Sequence, residues 1–598
     1  MTAESILKTT FGYAGFLGRQ REIIETVAAG GDALVLMPTG GGKSLCYQIP
    51  ALMRPGVGVV VSPLISLMAN QVAALRQVGV AAAFLNSSLD SAEQQKIERR
   101  MQNGELDLVY IAPERLLQPR TLELLACCKV ALIAIDEAHC VSQWGHDFRP
   151  EYLQLATLAE HFPGVPRIAL TATADLPTRK EIVERLQMPR ARVFVHSFDR
   201  PNIRYRVAER ANGSQQLLRF IRDEHPGEAG IVYCLSRAKT ERTAESLTAQ
   251  GIVALPYHAG LGHASRERHQ RRFLLEDGIV IVATVAFGMG IDKPDVRFVA
   301  HLDMPASIES YYQETGRAGR DGLPADAWML YGLNDVGQRR RMIEQSEASD
   351  ERKWLERRKL DAMLAYCELS TCRRVNLLRY FGENPRTDCG NCDTCLAPPE
   401  TWDATEAARK LLSAIYRTGQ RFGAQYLIEH LCGETNERAE RLGHTELSTF
   451  GIGKDLAAKQ WRSVIRQLVA RGYLESDPDG YGGLCFGPDA WALLRGEQSI
   501  RLRHDRKPQR KRSRGEKTST EIAPADAELW EALRETRTRL AQEQGVPAYV
   551  IFPDATLREM LAHRPATQAD FLALNGVGEK KLASYGAAFI RVILNYAG

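Results

Sequence analysis

The stretch MPTGGGKS at 37–44 has the composition of a loop that wraps a phosphate chain. Glycines let the backbone approach an anion closely. The loop amides and a following helix N-terminus supply positive potential. In that reading Thr39, Gly40 and Gly42 shape the loop, Lys43 reaches the terminal phosphates and Ser44 ligates Mg²⁺. The strict pattern opens with Gly, and here Met37 stands in its place. Further on, ALIAIDEAH (131–139) is an apolar run that ends in two carboxylates. Asp136 suits the same Mg²⁺, and Glu137 suits orienting and polarising a water for attack on phosphorus. In QETGRAGRDG (313–322), Arg317 and Arg320 share one face of a helix or turn. An arginine reaching a terminal phosphate would stabilise the charge that develops on transfer, whereas a solvated basic turn needs no ligand.

Two other clusters invite chemistry. SQWGHDFRPEY (142–152) follows the carboxylates closely and offers Trp144 and Phe148 as flat surfaces for bases, with Arg149 for a phosphate backbone. Its neighbours Gly, His, Asp and Arg argue against an apolar core slot. His139 and His146 are candidates for linking that loop to the carboxylates. Cys372, Cys389, Cys392 and Cys395 supply thiolates at spacings that suit tetrahedral structural zinc, and Cys367 competes for the fourth place.

These residues need rigid elements behind them. ALVLM (33–37), VGVVV (57–61), LDLVYI (106–111), ALIAI (131–135) and RIALT (167–171) read as buried strands separated by helical patterns. A second series follows: GIVYC (230–234), VALPYH (253–258), IVIVAT (279–284) and VRFVAH (296–301). Near-continuous apolar strands alternating with helices imply parallel sheets covered on both faces. The fold class is therefore α/β, with two such lobes joined near Asp199–Asn202. After Asn334 the strands stop, and a charged helical segment leads to the cysteines. Residues 402–490 alternate helices with short strands, and 473–486 read as a hairpin with Tyr481 as the aromatic of its short loop. Helices are read at Ala525–Gln544, Asp554–His563, Thr567–Leu574 and Lys580–Tyr596, with Asp554 and Thr567 as N-caps.

Composition sets the outer limits. Apolar residues are 44% and charged residues 25% of the 598, as in ordinary globular proteins. No run approaches the ~18 apolar residues of a membrane span, and no basic-then-apolar leader is read at the N-terminus. Net charge is only +4, but Arg501–Lys517 holds nine Lys/Arg against two acids. With almost no apolar residues, that segment reads as a flexible basic linker.

The motifs together closely resemble those of the RecQ family of superfamily 2 DNA helicases. The resemblance rests on MPTGGGKS, SPLISL (62–67), APERL (112–116), IDEAHC (135–140), SQWGHDFRPEY, LTATA (170–174), FDRPNI (198–203), YHAGL (257–261), ATVAFGMGIDKPDVRF (283–298) and YYQETGRAGRDG (311–322). It implies ATP, Mg²⁺ and Zn²⁺, and 3′→5′ movement on single-stranded DNA with unwinding of duplex or branched DNA in repair and recombination. It further implies a cytoplasmic, nucleoid-associated bacterial enzyme without a membrane, with a single-strand-binding protein and a topoisomerase as partners. Thr371-Cys372-Arg373-Arg374 matches the family pattern and favours Cys372 over Cys367 as zinc ligand. Tyr13 and Gln20 match the family's adenine-gripping residues, but the stacking arginine falls at Leu17, and Arg19 is offset by two positions. The aromatic-rich loop is what separates this pattern from that of DEAD-box RNA helicases.

The resulting division is two RecA-like lobes (1–200 and 201–335), a helical zinc-binding module (336–400) and a winged-helix domain (401–498). A basic linker (499–523) and a helicase-and-RNase-D C-terminal helical bundle (524–598) complete it. On the winged helix, Arg462 and Arg466 form a candidate duplex-backbone surface, with a solvated helix face as the other reading. NGVGEKK (575–581) reads either as a phosphate-presenting turn or as an ordinary helix–helix turn.

Overall fold

The computed structural model describes residues 2–63, 65–86, 89–142, 149–172, 174, 176–287, 293–476, 483–504, 523 and 526–596. The first lobe is a 7-stranded sheet built from β1 (Ala33–Leu36), β2 (Val57–Val61), β3 (Ala82–Leu85), β4 (Leu108–Ile111), β5 (Val130–Ile135), β6 (Arg167–Thr171) and β7 (Arg192–Val195). Its order is β3-β4-β2-β5-β6-β1-β7, and the neighbouring strands run parallel. The central strands are buried on both faces, which is why they read as unbroken Val/Ile/Leu runs. Each such side chain stabilises the fold by about 1.5–3 kcal/mol on burial.

The second lobe is a 6-stranded parallel sheet of β8 (Ile203–Glu209), β9 (Gly230–Tyr233), β10 (Ala254–Tyr257), β11 (Val280–Ala283), β12 (Phe298–His301) and β13 (Ala325–Tyr331), in the order β10-β11-β9-β12-β13-β8. Strands β3, β7, β8 and β13 are additions to the sequence reading. β7 is an edge strand with one buried residue, Phe194, and β8 alternates arginines with buried positions. β7 has an apolar run of only three residues, and β8 has none.

Helices Leu333–Glu344, Asp350–Cys367 and Arg373–Tyr380 lead into the cysteine cluster, as expected. Next come β14 (Thr401–Asp403), helices Thr405–Arg417, Ala424–Cys432 and Ala458–Ala470, and the antiparallel hairpin of β15 (Leu474–Ser476) and β16 (Leu484–Phe486). The tip of that hairpin, including Tyr481, lies outside the described residues.

One boundary is corrected. Arg501–Arg503, assigned to the basic linker, forms β17 and pairs antiparallel with β14. Leu502 is fully buried, so this one apolar residue draws the start of the basic segment into the sheet. The remainder of the basic segment, 505–517, lies outside the described residues.

The C-terminal bundle has helices Ala527–Gln544, Asp554–His563, Gln568–Leu572 and Ala587–Asn595. Thr567 is an N-cap as expected, its hydroxyl accepting from the Asp570 amide. Asp554 is not: Pro553 caps that helix, and Asp554 instead pairs with Arg537 at 2.6 Å.

Candidate nucleotide site and metal centre

β1 and β5 flank β6, so their C-terminal ends lie two strand spacings apart, about 10 Å. The phosphate loop leaves one end and the carboxylates leave the other. A cavity of about 270 Å³ opens between them, lined by Thr39, Gly40, Gly42, Lys43, Ser44, Asp136 and Glu137. Its opposite wall comes from the second lobe: Gln313, Arg317 and Arg320. Two sequence signals far apart in the chain thus meet across one cleft.

The loop requires glycine where the pattern has it. Gly40 and Gly42 have φ of 81° and 77°, in the left-handed region, and a Cβ on Gly42 would stand 2.4 Å from the Gln20 amide nitrogen. Lys43 donates to the Met37 carbonyl at 3.1 Å. Gln20 is buried and also braces the loop. Its Nε2 donates to the Gly41 and Gly42 carbonyls at 3.3 and 3.1 Å, and its Oε1 accepts from the Leu17 amide at 2.8 Å. Tyr13 and Leu17 are exposed nearby, at 45% and 59%. Arg19 is held elsewhere. It pairs with Glu22 at 2.9 Å and lies 4.9 Å over the Phe194 ring.

Glu137 adopts a left-handed backbone, with φ 50° and ψ 44°. Its Oε2 is buried without a hydrogen-bond partner among the described residues, 3.4 Å from His139 Nδ1. His139 Nδ1 also lies 2.9 Å from the Thr171 hydroxyl at the end of β6. Asp136 is braced from behind: the Tyr152 hydroxyl donates to its backbone carbonyl at 3.0 Å. Thr171 and Tyr152 lie within LTATA and SQWGHDFRPEY, but their spacing to the carboxylates did not mark them for this role.

Arg149 is half-buried, and its guanidinium donates to the Pro63 carbonyl at 3.2 Å. Trp144, His146 and Phe148 themselves lie outside the described residues. Across the cleft, Arg317 is buried against Tyr233, while Arg320 faces Gly40 of the phosphate loop.

The four cysteines converge. The sulfur atoms of Cys372, Cys389, Cys392 and Cys395 all lie within 4.8 Å of one another. Three pairs are 3.9, 3.9 and 3.4 Å apart. A tetrahedron with metal–sulfur bonds of about 2.3 Å has edges of about 3.8 Å, so the donor set fits zinc and leaves no open position. The backbone amides of Val375 and Cys389 donate to the Cys372 sulfur, and that of Asn391 to the Cys389 sulfur, as suits thiolate ligands. Cys367 stands apart in the core, where burial pushes its thiol up to about 12.

Comparison with known proteins fits this geometry stretch by stretch. A DEAD/DEAH box helicase model matches 18–182, a helicase conserved C-terminal domain 213–322 and a RecQ zinc-binding model 333–396. An RQC domain matches 398–511 and an HRDC domain 526–593. The ATP-dependent DNA helicase RecQ of Pasteurella multocida is 46% identical, over 99% of this chain and 93% of its own. Its counterpart in Haemophilus influenzae is 45% identical over 99% of this chain and 96% of its own. That of Bacillus subtilis is 38% identical over 100% of this chain and 99% of its own. The chain belongs to the RecQ family.

Within this RecQ chain one expected DNA contact is overturned. Arg466 is buried, not presented to a duplex. Its guanidinium bonds Glu368 of the zinc module and Glu209 of β8, the latter at 2.9 Å, and lies over the Tyr331 ring. Arg503 of β17 joins the same Glu368 at 2.7 Å. Arg466 is thus a strut between modules, whose carboxylate partner lies far away in sequence. Arg462, on the other face of the helix, is exposed and donates to Gln425 at 2.9 Å.

Proposed function

We propose that this RecQ-family chain is an ATP-driven DNA helicase whose motor is the cleft between the two parallel sheets. The observation that carries the reading is the shared lining: phosphate loop and carboxylates from one lobe, arginines from the other. A nucleoside triphosphate in that cleft contacts both lobes at once. Hydrolysis then removes the group that holds them together, and relative lobe motion follows. Lys43 holds the terminal phosphates, and the loop amides cradle the chain. Glu137, with its unsatisfied carboxylate oxygen beside His139, orients and polarises the attacking water. Arg320 meets the developing charge, with Arg317 set deeper beside it. Ser44 and Asp136 are the residues that would hold Mg²⁺, which supplies charge neutralisation at the phosphates.

Adenine recognition falls to Tyr13 and Gln20 in this reading, with Gln20 exchanging its bonds to Leu17 and the loop carbonyls for the edge of the base. Zinc on the four cysteines serves structure. Trp144, Phe148, Arg149 and Arg462 are the proposed DNA contacts, through base stacking and phosphate pairing. Movement is 3′→5′ on single-stranded DNA, with duplex or branched DNA unwound in repair and recombination. The partners proposed by family are a single-strand-binding protein, which would cover the product strand, and a topoisomerase. Nucleoid association follows from the DNA substrate. No helix of the described residues is long and apolar enough to cross a membrane.

The test is ATP hydrolysis with and without single-stranded DNA, paired with unwinding of a forked duplex bearing a 3′ or a 5′ tail. DNA-stimulated hydrolysis with opening of the 3′-tailed fork is expected. Stimulation by RNA alone, or hydrolysis without strand separation, would overturn the reading.

A further inference from the structure

Arg200 lies in FDRPNI, the connector between β7 and β8, and is 8% exposed. Its partners are backbone carbonyls drawn from both lobes. Nη1 donates to Thr39 in the phosphate loop at 2.6 Å and to Gly316 at 3.1 Å. Nη2 donates to Ala318 at 2.9 Å and Gly319 at 3.0 Å. Residues 316–319 are the turn that carries Arg317 and leads directly into Arg320. The four terminal N–H groups are thereby used, three on the arginine turn and one on the phosphate loop.

The same connector grips the turn from a second side. Asn202 Nδ2 donates to the Gly319 and Leu323 carbonyls, both at 2.8 Å. The Tyr312 hydroxyl, one turn before Gly316, donates to the Phe198 carbonyl at 2.8 Å. A residue that merely stabilised one lobe would take its acceptors from that lobe. Nη1 instead divides its two hydrogens between lobes, and a hydrogen bond is lost once its donor and acceptor part beyond about 3.5 Å. Moving the loop and the turn apart by roughly 1 Å would break this bridge.

We propose that Arg200 is a positioning residue for hydrolysis: it registers the Arg317–Arg320 turn on the phosphate loop. Through it the arginine meets the terminal phosphate only when the loop is seated. The inference rests on the nucleotide-cleft reading above and adds a residue that does not itself touch the phosphates. Lysine cannot reproduce it, because an ammonium lacks the planar fork that reaches four divergent carbonyls.

The experiment is a double-mutant cycle on the full-length zinc-loaded protein with saturating single-stranded DNA. Turnover and KM for ATP are measured for wild type, Arg200→Ala, Arg200→Lys, Arg320→Ala and Arg200→Ala/Arg320→Ala, with equilibrium binding of a fluorescent ADP. Arg200→Ala should lower kcat by about 10- to 100-fold, the scale of a misplaced catalytic group. ADP affinity should stay within about two-fold and KM for ATP should hold, with ADP still binding at one site per chain, a stoichiometry that a partly unfolded preparation would lose. Arg200→Lys should fall between. The double variant should be no slower than Arg320→Ala alone, because Arg200 works through that turn. Losses that multiply, an unchanged kcat in Arg200→Ala, or a loss of ADP affinity alone would each overturn the proposal. Wild-type turnover in Arg320→Ala would instead overturn the arginine assignment on which it rests. Should Arg200→Ala fail to fold, the same cycle is read with Arg200→Lys.

Discussion

Glu137 is a non-glycine residue in the left-handed region, at a cost of order 1–3 kcal/mol, and its buried Oε2 has no hydrogen-bond partner among the described residues. Both features work against stability, and the residue that bears them lines the cleft. Glu137→Gln keeps the shape and removes the base. It should retain nucleotide binding and lose turnover by about 10²–10⁴-fold. Hydrolysis at the wild-type rate would remove Glu137 from the mechanism. Arg320 and Arg317 are separable in the same way. Arg320 faces the phosphate loop and Arg317 is buried against Tyr233, so Arg320→Ala should lose about 10³–10⁵ in rate while ADP affinity holds. A severe defect in Arg317→Ala with a mild one in Arg320→Ala would exchange their roles. These residues were legible in the sequence because each sits in a dense local motif. Arg200 and Gln20 were only partly so. The motif marks their positions, but their acceptors are backbone carbonyls on other segments, which no spacing announces.

Elements were legible where two-sided burial comes with a long Val/Ile/Leu run; the Ala-rich β3 and β13 are also largely buried and lack that signal. Strands β1, β2 and β5 are unbroken apolar runs, whereas β8 carries Arg204 and Arg206 between buried positions and β13 has Asp326 close to its start. Arg204, Asp326 and Glu224 satisfy one another only once the strands pair. The zinc module shows how far an element's influence extends. Asp393, beside Cys392, pairs with buried Arg373 and accepts from the Val207 amide of β8, while Arg374 donates to the Pro201 and Ile203 carbonyls. The module around the cysteine cluster therefore clamps the connector on which Arg200 sits. Cys392→Ser should lose zinc and destabilise the module. It should also reduce coupling between the lobes, seen as weaker DNA stimulation of hydrolysis. Full zinc by metal analysis in that variant would exclude Cys392 as a ligand. Arg466 is a parallel case in the winged helix. Removing one partner of a buried ion pair costs about 3–5 kcal/mol, so Arg466→Ala should lower thermal stability markedly and leave the salt dependence of DNA binding alone. Arg462→Ala should do the reverse. A lowered salt slope in Arg466→Ala would return that residue to the DNA surface.

On the scale of the whole molecule, one apolar core runs from the first sheet through Phe198, Tyr311 and Tyr312 into the zinc module and on to Trp461 of the winged helix. The C-terminal bundle has a core of its own, centred on Leu533, Phe552, Phe571 and Phe589. Polar groups join it to the motor. Gln544 and Tyr585 meet Gln77, the Gly576 amide donates to the Gly12 carbonyl, and Arg534 pairs with Asp277 of the second lobe at 2.6 Å. The turn in NGVGEKK thus rests on the first lobe through a backbone hydrogen bond. A separately folded unit held by polar groups depends on its tether, and the tether is the basic segment. Two of its nine cations are already committed, Arg501 and Arg503 in β17, with Arg503 bound to Glu368. The other seven, between 506 and 517, carry positive charge on a composition that cannot form a core. They should bind phosphates without reading sequence. Replacing those seven by Ser and Gly, and leaving β17 intact, should weaken DNA binding. It should flatten the slope of log K against log salt by about 0.7 for each single-strand phosphate no longer neutralised, or about 0.9 for duplex. Turnover at saturating DNA should hold, because the cleft residues all precede Asp321. Affinity measured at several salt concentrations decides the matter. An unchanged slope would make the segment a spacer, and a loss of turnover at saturating DNA would mean that the tether also sets how the bundle rests on the two lobes.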